Sequence, residues 1–307
     1  MLASSMLASS RIASRLSPLS AAARLPLSAA RQMSVYAWGC AAAGLSPASA
    51  PPADVLSPLD VSASIASYIS SKQLPASYQC TSVTAGKGDN SAFVLSDGET
   101  SHVVVTGSDK YGASSGAAKL PEGRLVERVN LGPSNYSAHA TQDGKPELYS
   151  WGYPGSTVEG YGQLGLGGVL GTDGASYVST PQLVGSLVED GTPASMVDHG
   201  AYHSLLLSPH SEEVLTCGAG TYGRLGNPDQ QDSLYYEPVE HLNSQAPNFT
   251  AVSAGSDFSL VLDDAGRVYS YGKNDKGQLG AGGGMSMDMY AMEPLPTVIE
   301  ELPKPCK

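Results

Sequence analysis

The segment Val252-Ser-Ala-Gly255, Ser259-Leu-Val-Leu262, Val268-Tyr269-Ser270-Tyr271-Gly272 and Gly277-Gln278-Leu279-Gly280 decides how the rest of the chain is read. Its first two apolar runs, and then the second and third, are separated by short polar turns. The second of these, Asp263-Asp264-Ala265-Gly266, is rich in residues that favour turns. β-prone runs around such turns form antiparallel hairpins. The same order recurs upstream. The Val-x-x-Gly element returns as Val83–Gly86, Val129–Gly132 and Val197–Gly200, each followed by a Ser-led apolar run at Ser91, Ser137 or Ser204. The aromatic strand returns as Val35–Gly39 (with Trp38), Leu148–Gly152 (with Trp151), and in weaker form as Val103–Gly107 and Val214–Gly218.

A second glycine stands five residues after the strand glycine in four copies, from Gly39, Gly107, Gly218 and Gly272 to Gly44, Gly112, Gly223 and Gly277. In the fifth copy the gap runs from Gly152 to Gly162. Three copies close on Leu-Gly: Leu164-Gly165, Leu225-Gly226 and Leu279-Gly280. A Pro-x-Val-like element follows at Pro181–Val184, Pro238-Val239 and Pro296–Val298, where proline suits an outer strand. Each unit therefore holds about four short strands, and the aromatic strands begin 68, 45, 66 and 54 residues apart. Repeats of roughly 40–50 residues with four strands each are propeller blades. Extra length is expected in loops, notably 41–58 and 167–180, and a short helix over Ser62–Ser71.

These motifs resemble the repeats of the regulator of chromosome condensation family: Val-x-x-Gly-x-x-His-Ser-x-x-Leu, a turn, Val-Tyr-x-Trp-Gly, and Gly-Gln-Leu-Gly. The likeness is best in Val197–Leu207, with His203 and Ser204, in Leu148–Gly165 and in Val252–Gly280, and it spans about residues 35–302. The resemblance implies an all-β propeller of seven blades closed by its chain ends, acting by binding other proteins. Only about four and a half units are present, so an open or incomplete ring is expected. Truncation of a longer protein is the first expectation, ahead of a smaller propeller or a ring completed by a partner. Residues carried over as structural are Trp38, Gly39, Gly107, Trp151, Gly152, Gly162, Leu164, Gly165, Gly200, His203, Ser204, Gly218, Gly223, Gly255, Ser259, Tyr271, Gly272, Gly277, Leu279 and Gly280.

The first 33 residues have a different chemistry. No Asp or Glu occurs before Asp54, and Arg11, Arg15, Arg24 and Arg31 stand among Ser, Ala and Leu. An acid-free stretch rich in Arg and Ser has the composition of a mitochondrial targeting presequence, and Arg31-Gln32-Met33-Ser34 resembles a processing site. The expected division is a presequence at 1–33, a propeller at 34–302 and a tail at 303–307. The whole chain of 307 residues carries a formal charge of −12; removing residues 1–33 leaves −16. That charge disfavours binding to phosphate backbones. Lys110, Lys119, Arg124 and Arg128 are the densest basic stretch, diluted by Glu122 and Glu127, and read as a solvated mixed face.

Several sites look chemical and are not read so. Gly218-Ala-Gly220-Thr-Tyr-Gly223 has dinucleotide-fingerprint spacing, but Gly226-Asn-Pro228 follows where a helix is needed. His199 and His203 are four apart on a strand–turn–strand segment, and His203 matches the repeat's own histidine, a place held elsewhere by Asn90, Tyr136 and Phe258. Asp257, Asp263 and Asp264 read as turn residues. Trp38, Trp151 and Tyr271 read as core aromatics. Met285, Met287, Met289 and Met292 mark a flexible loop. No catalytic, cofactor-binding or metal-binding residue is assigned, and no enzyme activity is expected.

The expected role is a protein–protein scaffold or assembly factor in the mitochondrial matrix or at the matrix face of the inner membrane. The family resemblance points to assembly intermediates of respiratory complex III. The alternatives are guanine-nucleotide exchange on a mitochondrial GTPase and assembly of mitochondrial ribosomes. No direct nucleic-acid contact and no transmembrane helix are expected. Residues 1–33 fused to a fluorescent protein are expected to enter mitochondria, and replacing all four arginines with glutamine is expected to leave the fusion in the cytosol under fluorescence microscopy.

Overall fold

The computed structural model describes residues 36–39, 55–60, 62–87, 90–107, 117–156, 160–167, 177–208, 213–244, 248–280, 291–300 and 302. Arg11, Arg15, Arg24 and Arg31 with the expected presequence at 1–33, the expected tail at 303–307, and Lys110, Met285, Met287 and Met289 lie outside the described residues, as does the side chain of Trp38. The chain opens with a ladder between β1 (Tyr36–Gly39) and β2 (Val55–Asp60), then helix α1 (Ser62–Ser71). Four antiparallel sheets of four strands follow. Blade 1 is β3 (Gln79–Ala85), β4 (Asn90–Ser96), β5 (Ser101–Gly107) and β6 (Ala117–Ala118). Blade 2 is β7 (Leu125–Leu131), β8 (Asn135–Gln142), β9 (Lys145–Gly152) and β12 (Val178–Leu183), with the small hairpin β10 (Gly155–Ser156) and β11 (Gly160–Tyr161) set into its loop.

Helix α2 (Gly185–Glu189) leads to blade 3: β13 (Met196–His199), β14 (His203–Ser208), β15 (Glu213–Gly218) and β16 (Ser233–Pro238). Helix α3 (Glu240–Asn243) leads to blade 4: β17 (Phe249–Ala254), β18 (Phe258–Asp263), β19 (Val268–Lys273) and β20 (Met292–Val298). The proline-bearing strands β12, β16 and β20 are outermost in their sheets, as expected from the missing N–H of proline. The short helix at Ser62–Ser71 also forms as read. Its Ile65, Tyr68 and Ile69, spaced for one helical face, pack on Cys80, Phe93, Leu95 and Val104 of blade 1.

The repeat is therefore half a blade plus four whole ones, and no ladder among the described residues joins the first sheet to the last. Three boundaries differ from the sequence reading. Residues 55–58 belong to β2 rather than to a loop: Val55 pairs with Gly39 and Leu59 with Ala37, and the register shifts between them. Blade 1 gains a two-residue outer strand at Ala117–Ala118, too short to show a pattern. Helices α2 and α3 were not read; each is a single turn that buries one leucine, Leu187 or Leu242.

Successive blades share apolar cores. Ala92, Val94 and Val105 of blade 1 meet Tyr136, Trp151 and Leu164 of blade 2. Leu148 and Val184 of blade 2 meet Leu206, Cys217 and Tyr236 of blade 3. Leu205 and Val214 of blade 3 meet Val261, Tyr269 and Tyr271 of blade 4. Trp151 and Tyr271 are wholly buried, as core aromatics should be.

The register explains the glycines. Gly107, Gly152, Gly218 and Gly272 all have φ between 109° and 115°, a region closed to ordinary side chains. Opposite them stand Asn90, Asn135, His203 and Phe258. In blade 2 the histidine's place is thus held by Asn135, and Tyr136 takes the place of Ser204. The sequence alignment was one residue off because blade 1 has one more residue than the others between its glycine and this position.

Asn90, Asn135 and His203 each cross to the next blade. Asn90 Nδ2 donates to Tyr136 Oη (2.9 Å), Asn135 Nδ2 to Ser204 Oγ (3.1 Å), and His203 Nε2 to Ser259 Oγ (3.0 Å). The serines pass their own protons back to the preceding blade's loop, Ser204 to the Gln163 carbonyl (2.7 Å) and Ser259 to the Arg224 carbonyl (2.8 Å). The His203 ring lies over Gly200, where a Cβ would come within 2.2 Å of it.

His199 adds a second bridge. Because the Ser204 proton is committed to Gln163, His199 Nδ1 must donate to Ser204 (2.8 Å), and Ser137 donates to Nε2 (2.8 Å). This tautomer is neutral, and burial pushes the His199 pKa down to about 4; burial together with the nearby Arg128 pushes His139 to about 3. The unfolded state then binds more protons than the folded one below the ordinary value of 6.5, so stability rises with pH across this window. His199 alone is expected to withdraw about 3 kcal/mol as pH falls from 6.5 to 4. Urea unfolding at stepped pH should show that loss, and His199→Gln should flatten its slope.

Candidate interaction face

Antiparallel strands place all turns between the first and second strands on one face, together with all loops between the third and fourth. The opposite face carries the tight turns at Asp97-Gly98, Asp143-Gly144 and Asp264–Gly266. The connections between the third and fourth strands of blades 2, 3 and 4 therefore leave and re-enter their sheets on a single face. Loops on a rigid frame are where recognition concentrates.

Three of these loops share one turn. Gly165, Gly226 and Gly280 donate to Gly162, Gly223 and Gly277, all six with positive φ, and Leu164, Leu225 and Leu279 point inward, 0–2% exposed. The turn seats the next blade's outer strand. A Cβ on Gly162 would come within 2.1 Å of the Ser233 carbonyl, and one on Gly223 within 2.3 Å of the Pro294 Cα. Gly218–Gly223 leads into a three-residue 3₁₀ turn at Thr221–Gly223, not into the helix that a dinucleotide site requires.

Tyr222, at φ 65°, forms the apex of this loop. Arg224 beneath it is 3% exposed and sits 5.5 Å from the Tyr222 ring centre and 5.6 Å from that of Tyr202. Its Nη1 lies 2.9 Å from Asp257 Oδ1, off the line of a hydrogen bond. Burial lowers the Arg224 pKa and Asp257 opposes that shift. Lys273 stands 4.9 Å over the other aspect of Tyr222 and pairs with Asp275 (3.2 Å). Half-buried tyrosines and an arginine held by flanking contacts have the composition of binding hot spots.

Nearer the inner strands, Lys87 joins all four blades. Its N–H donates to Leu131 O of blade 2. Its Nζ donates to both carboxylate oxygens of Asp198 (2.8 Å each), to His199 O (2.9 Å) and to Ala254 O of blade 4 (2.5 Å). Asp198 also accepts from Ala254 N (2.8 Å).

Of the residues expected to be structural, those with described side chains occupy the shared cores and bridges; none gathers into a reacting constellation. His203 and Ser204 face different blades, so they do not form a nucleophile–base pair. Several sequence expectations are corrected. Asp257 is the partner of Arg224 rather than a simple turn residue, and Asp263 is a buried strand end that accepts from Arg267 N (2.8 Å) and Arg267 Nε (2.7 Å). Arg124 bonds Tyr149 (3.0 Å) and pairs with Glu147 (3.3 Å), and Arg128 is half-buried beside His139 (3.4 Å), so neither is a freely solvated cation. Met292 lies in β20. Lys87 was passed over because its significance depends on residues 111 and 167 positions away.

The family model described as Regulator of chromosome condensation (RCC1) repeat matches residues 211–262 and 265–306, and a second model of that description matches 249–278. These segments carry regulator-of-chromosome-condensation repeats. The repeat protein is 33% identical to the mouse Inhibitor of Bruton tyrosine kinase over 44% of this chain and 9% of the relative. It is 29% identical to the RCC1 domain-containing protein RUG3, mitochondrial, of Arabidopsis thaliana, over 54% of this chain and 34% of the relative.

Among solved structures it resembles Saccharomyces cerevisiae Prp20p, a protein with reported binding to Gsp1p and histones, with a TM-score of 0.59 and 19% identity over 87% of this chain and 59% of that one. Human WBSCR16 matches with a TM-score of 0.60 and 20% identity over 85% and 59%. The matches thus span 59% of these solved chains and far less of the curated relatives. They establish the propeller fold. No helix among the described residues is long and apolar enough to cross a membrane.

Lys87→Met leaves Asp198 and two inner-strand carbonyls without their shared donor. The side chains of Lys87 and Asp198 are 37% and 27% exposed, so water offsets part of the loss. A destabilisation of about 1–2 kcal/mol is expected in urea unfolding, and an unchanged midpoint would show that the inner strands hold without this hub.

Proposed function

We propose that this repeat protein is a mitochondrial scaffold that binds other proteins through its long-loop face. The observation that carries the reading is the emergence of the long loops, with the Tyr202–Arg224–Tyr222 stack, on one face of a bridged blade array. The mitochondrial placement draws support from the arginine-rich, acid-free first 33 residues and from the 29% identity with the mitochondrial RUG3 protein. Assembly intermediates of respiratory complex III, met at the matrix face of the inner membrane, are the partner class that the family resemblance adds.

The likeness to Prp20p, with its reported binding to Gsp1p, favours a second reading: guanine-nucleotide exchange on a mitochondrial GTPase. Affinity capture from mitochondria followed by mass spectrometry separates the two. A scaffold should recover complex III assembly intermediates, and Tyr222→Ala with Arg224→Ala should reduce recovery at least tenfold. An exchange factor should instead speed GDP release from a captured GTPase at catalytic amounts. Recovery of neither class, or recovery unaffected by the loop substitutions, would sink the proposal for this face.

A further inference from the structure

Leu234, Tyr235 and Leu295 are large apolar side chains left 38%, 49% and 37% exposed. The register makes their places equivalent. Ser233 pairs opposite Gly218 and Glu293 opposite Gly272, so Leu234-Tyr235 and Pro294-Leu295 are the next two residues of the outer strands β16 and β20. In β12 the residue opposite Gly152 is Val178, and the next two are the polar Ser179 and Thr180. The seams between blades 2 and 3 and between blades 3 and 4 thus carry an apolar rim that β12 does not. Each rim lies against the loop of the preceding blade. A Cβ on Gly162 would come within 2.9 Å of the Leu234 Cα, one on Gly167 within 2.5 Å of the Tyr235 ring, and one on Gly223 within 2.5 Å of the Pro294 Cβ. The residue before the pressed glycine is a half-buried tyrosine both times, Tyr161 and Tyr222. At the same place in blade 4 stands Lys276.

These rings favour cations. Tyr222, whose φ of 65° strains a bulky side chain, already has Arg224 at 5.5 Å and Lys273 at 4.9 Å from its ring centre. Tyr235 rests on Gly167 and is half exposed, which leaves ring surface open to a further cation. The charges along the two seams are acidic in balance. Arg224 and Lys273 are matched by Asp257 and Asp275, while Asp229, Asp232 and Glu293 are exposed beside exposed Lys276. Asp232 also ties the two loops together by accepting from Tyr161 N (3.0 Å) and Gly220 N (3.0 Å), so its carboxylate is fixed at the first seam. We propose that an extended segment of a partner protein, bearing arginines and lysines, docks along this rim, with apolar side chains on Tyr235 and Leu295 and cations beside Asp229, Asp232 and Glu293. This rests on the loop-face reading above and adds the chemistry of the partner. Packed sheets lie about 10 Å apart, so one compact tip cannot fill both seats, and the two anchors stand roughly three or more residues apart in an extended chain.

A phage-displayed library of random peptides, selected on the immobilised full chain, is the probe, and selected peptides made synthetically are titrated by fluorescence anisotropy. The expected sequences are rich in Lys and Arg and hold two apolar residues at least that far apart. Tyr235→Ser with Leu295→Ser should weaken their binding about tenfold or more, as loss of anchor side chains does. Asp229→Asn with Glu293→Gln should weaken it and flatten its salt dependence. Val188→Ser, at an apolar residue of α2 that is 51% exposed, should change nothing. All the altered side chains are exposed, so an unchanged urea midpoint in each variant keeps misfolding apart from lost contact. No enrichment, an acidic consensus, or binding indifferent to the rim pair would overturn the proposal. A doubled mass in light scattering that the rim pair abolishes would overturn it in favour of a second copy of the chain. Mitochondrial partners lost with Tyr222→Ala and Arg224→Ala but kept by the rim pair would overturn this rim alone and leave the loop-face scaffold standing.

Discussion

The bridge from each blade to the next is the constraint on which the array depends. A polar side chain opposite the strand glycine crosses the junction, and the hydroxyl it meets returns a proton to the loop of the blade it came from. Asn135–Ser204–Gln163 and His203–Ser259–Arg224 show this circuit twice. Such groups are buried, and a buried donor left without an acceptor costs about 1–3 kcal/mol. A blade therefore cannot expose its own polar position without its successor. This couples neighbours more tightly than apolar burial alone and makes stability a property of junctions.

Glycine makes the circuit possible in two ways. The φ near 110° at Gly152, Gly218 and Gly272 goes with a register shift against the outer strand just opposite the position of the bridging residue, and Gly107 has the same angle in blade 1. Gly200 and Gly255 instead have ordinary backbone angles and are glycine for want of space, since the rings of His203 and Phe258 lie where a Cβ would be. High glycine content here reflects close packing rather than freedom.

Much of this was legible because it is periodic. Strand order, the helix at Ser62–Ser71, the outer position of the proline strands and the burial of Trp151 and Tyr271 all follow from local pattern. What escaped depends on register or distance. Asn135 and Tyr136 were interchanged because blade 1 spends one more residue between Gly86 and Asn90 than blade 2 spends between Gly132 and Asn135, and side chains one residue apart face opposite ways. Arg124 reads as a surface cation in the sequence and Lys87 belongs to no motif there, since nothing local shows that Glu147 or Asp198 will meet them.

Those pairings bear on what kind of partner suits the protein. Lys87, Arg124, Arg224, Lys273 and Arg267 each lie beside a carboxylate of the same chain. These five cations hold blades and loops together, while Lys72, Lys119, Lys145 and Lys276 are exposed beside exposed Asp97, Glu99, Glu189, Asp190, Glu240 and Asp264. Each pair removes one charge of each sign, so the excess of acids expressed in the net charge of −12 stays with the unpaired groups. Binding a phosphate backbone requires displacing its counterions with free Lys and Arg, and that acidic excess opposes it. A protein surface with its own lysines and arginines meets no such obstacle, and long-range attraction would speed its approach. The scaffold reading and the charge thus lead to the same class of partner by independent routes, one from where the loops emerge and the other from the excess of acids over bases.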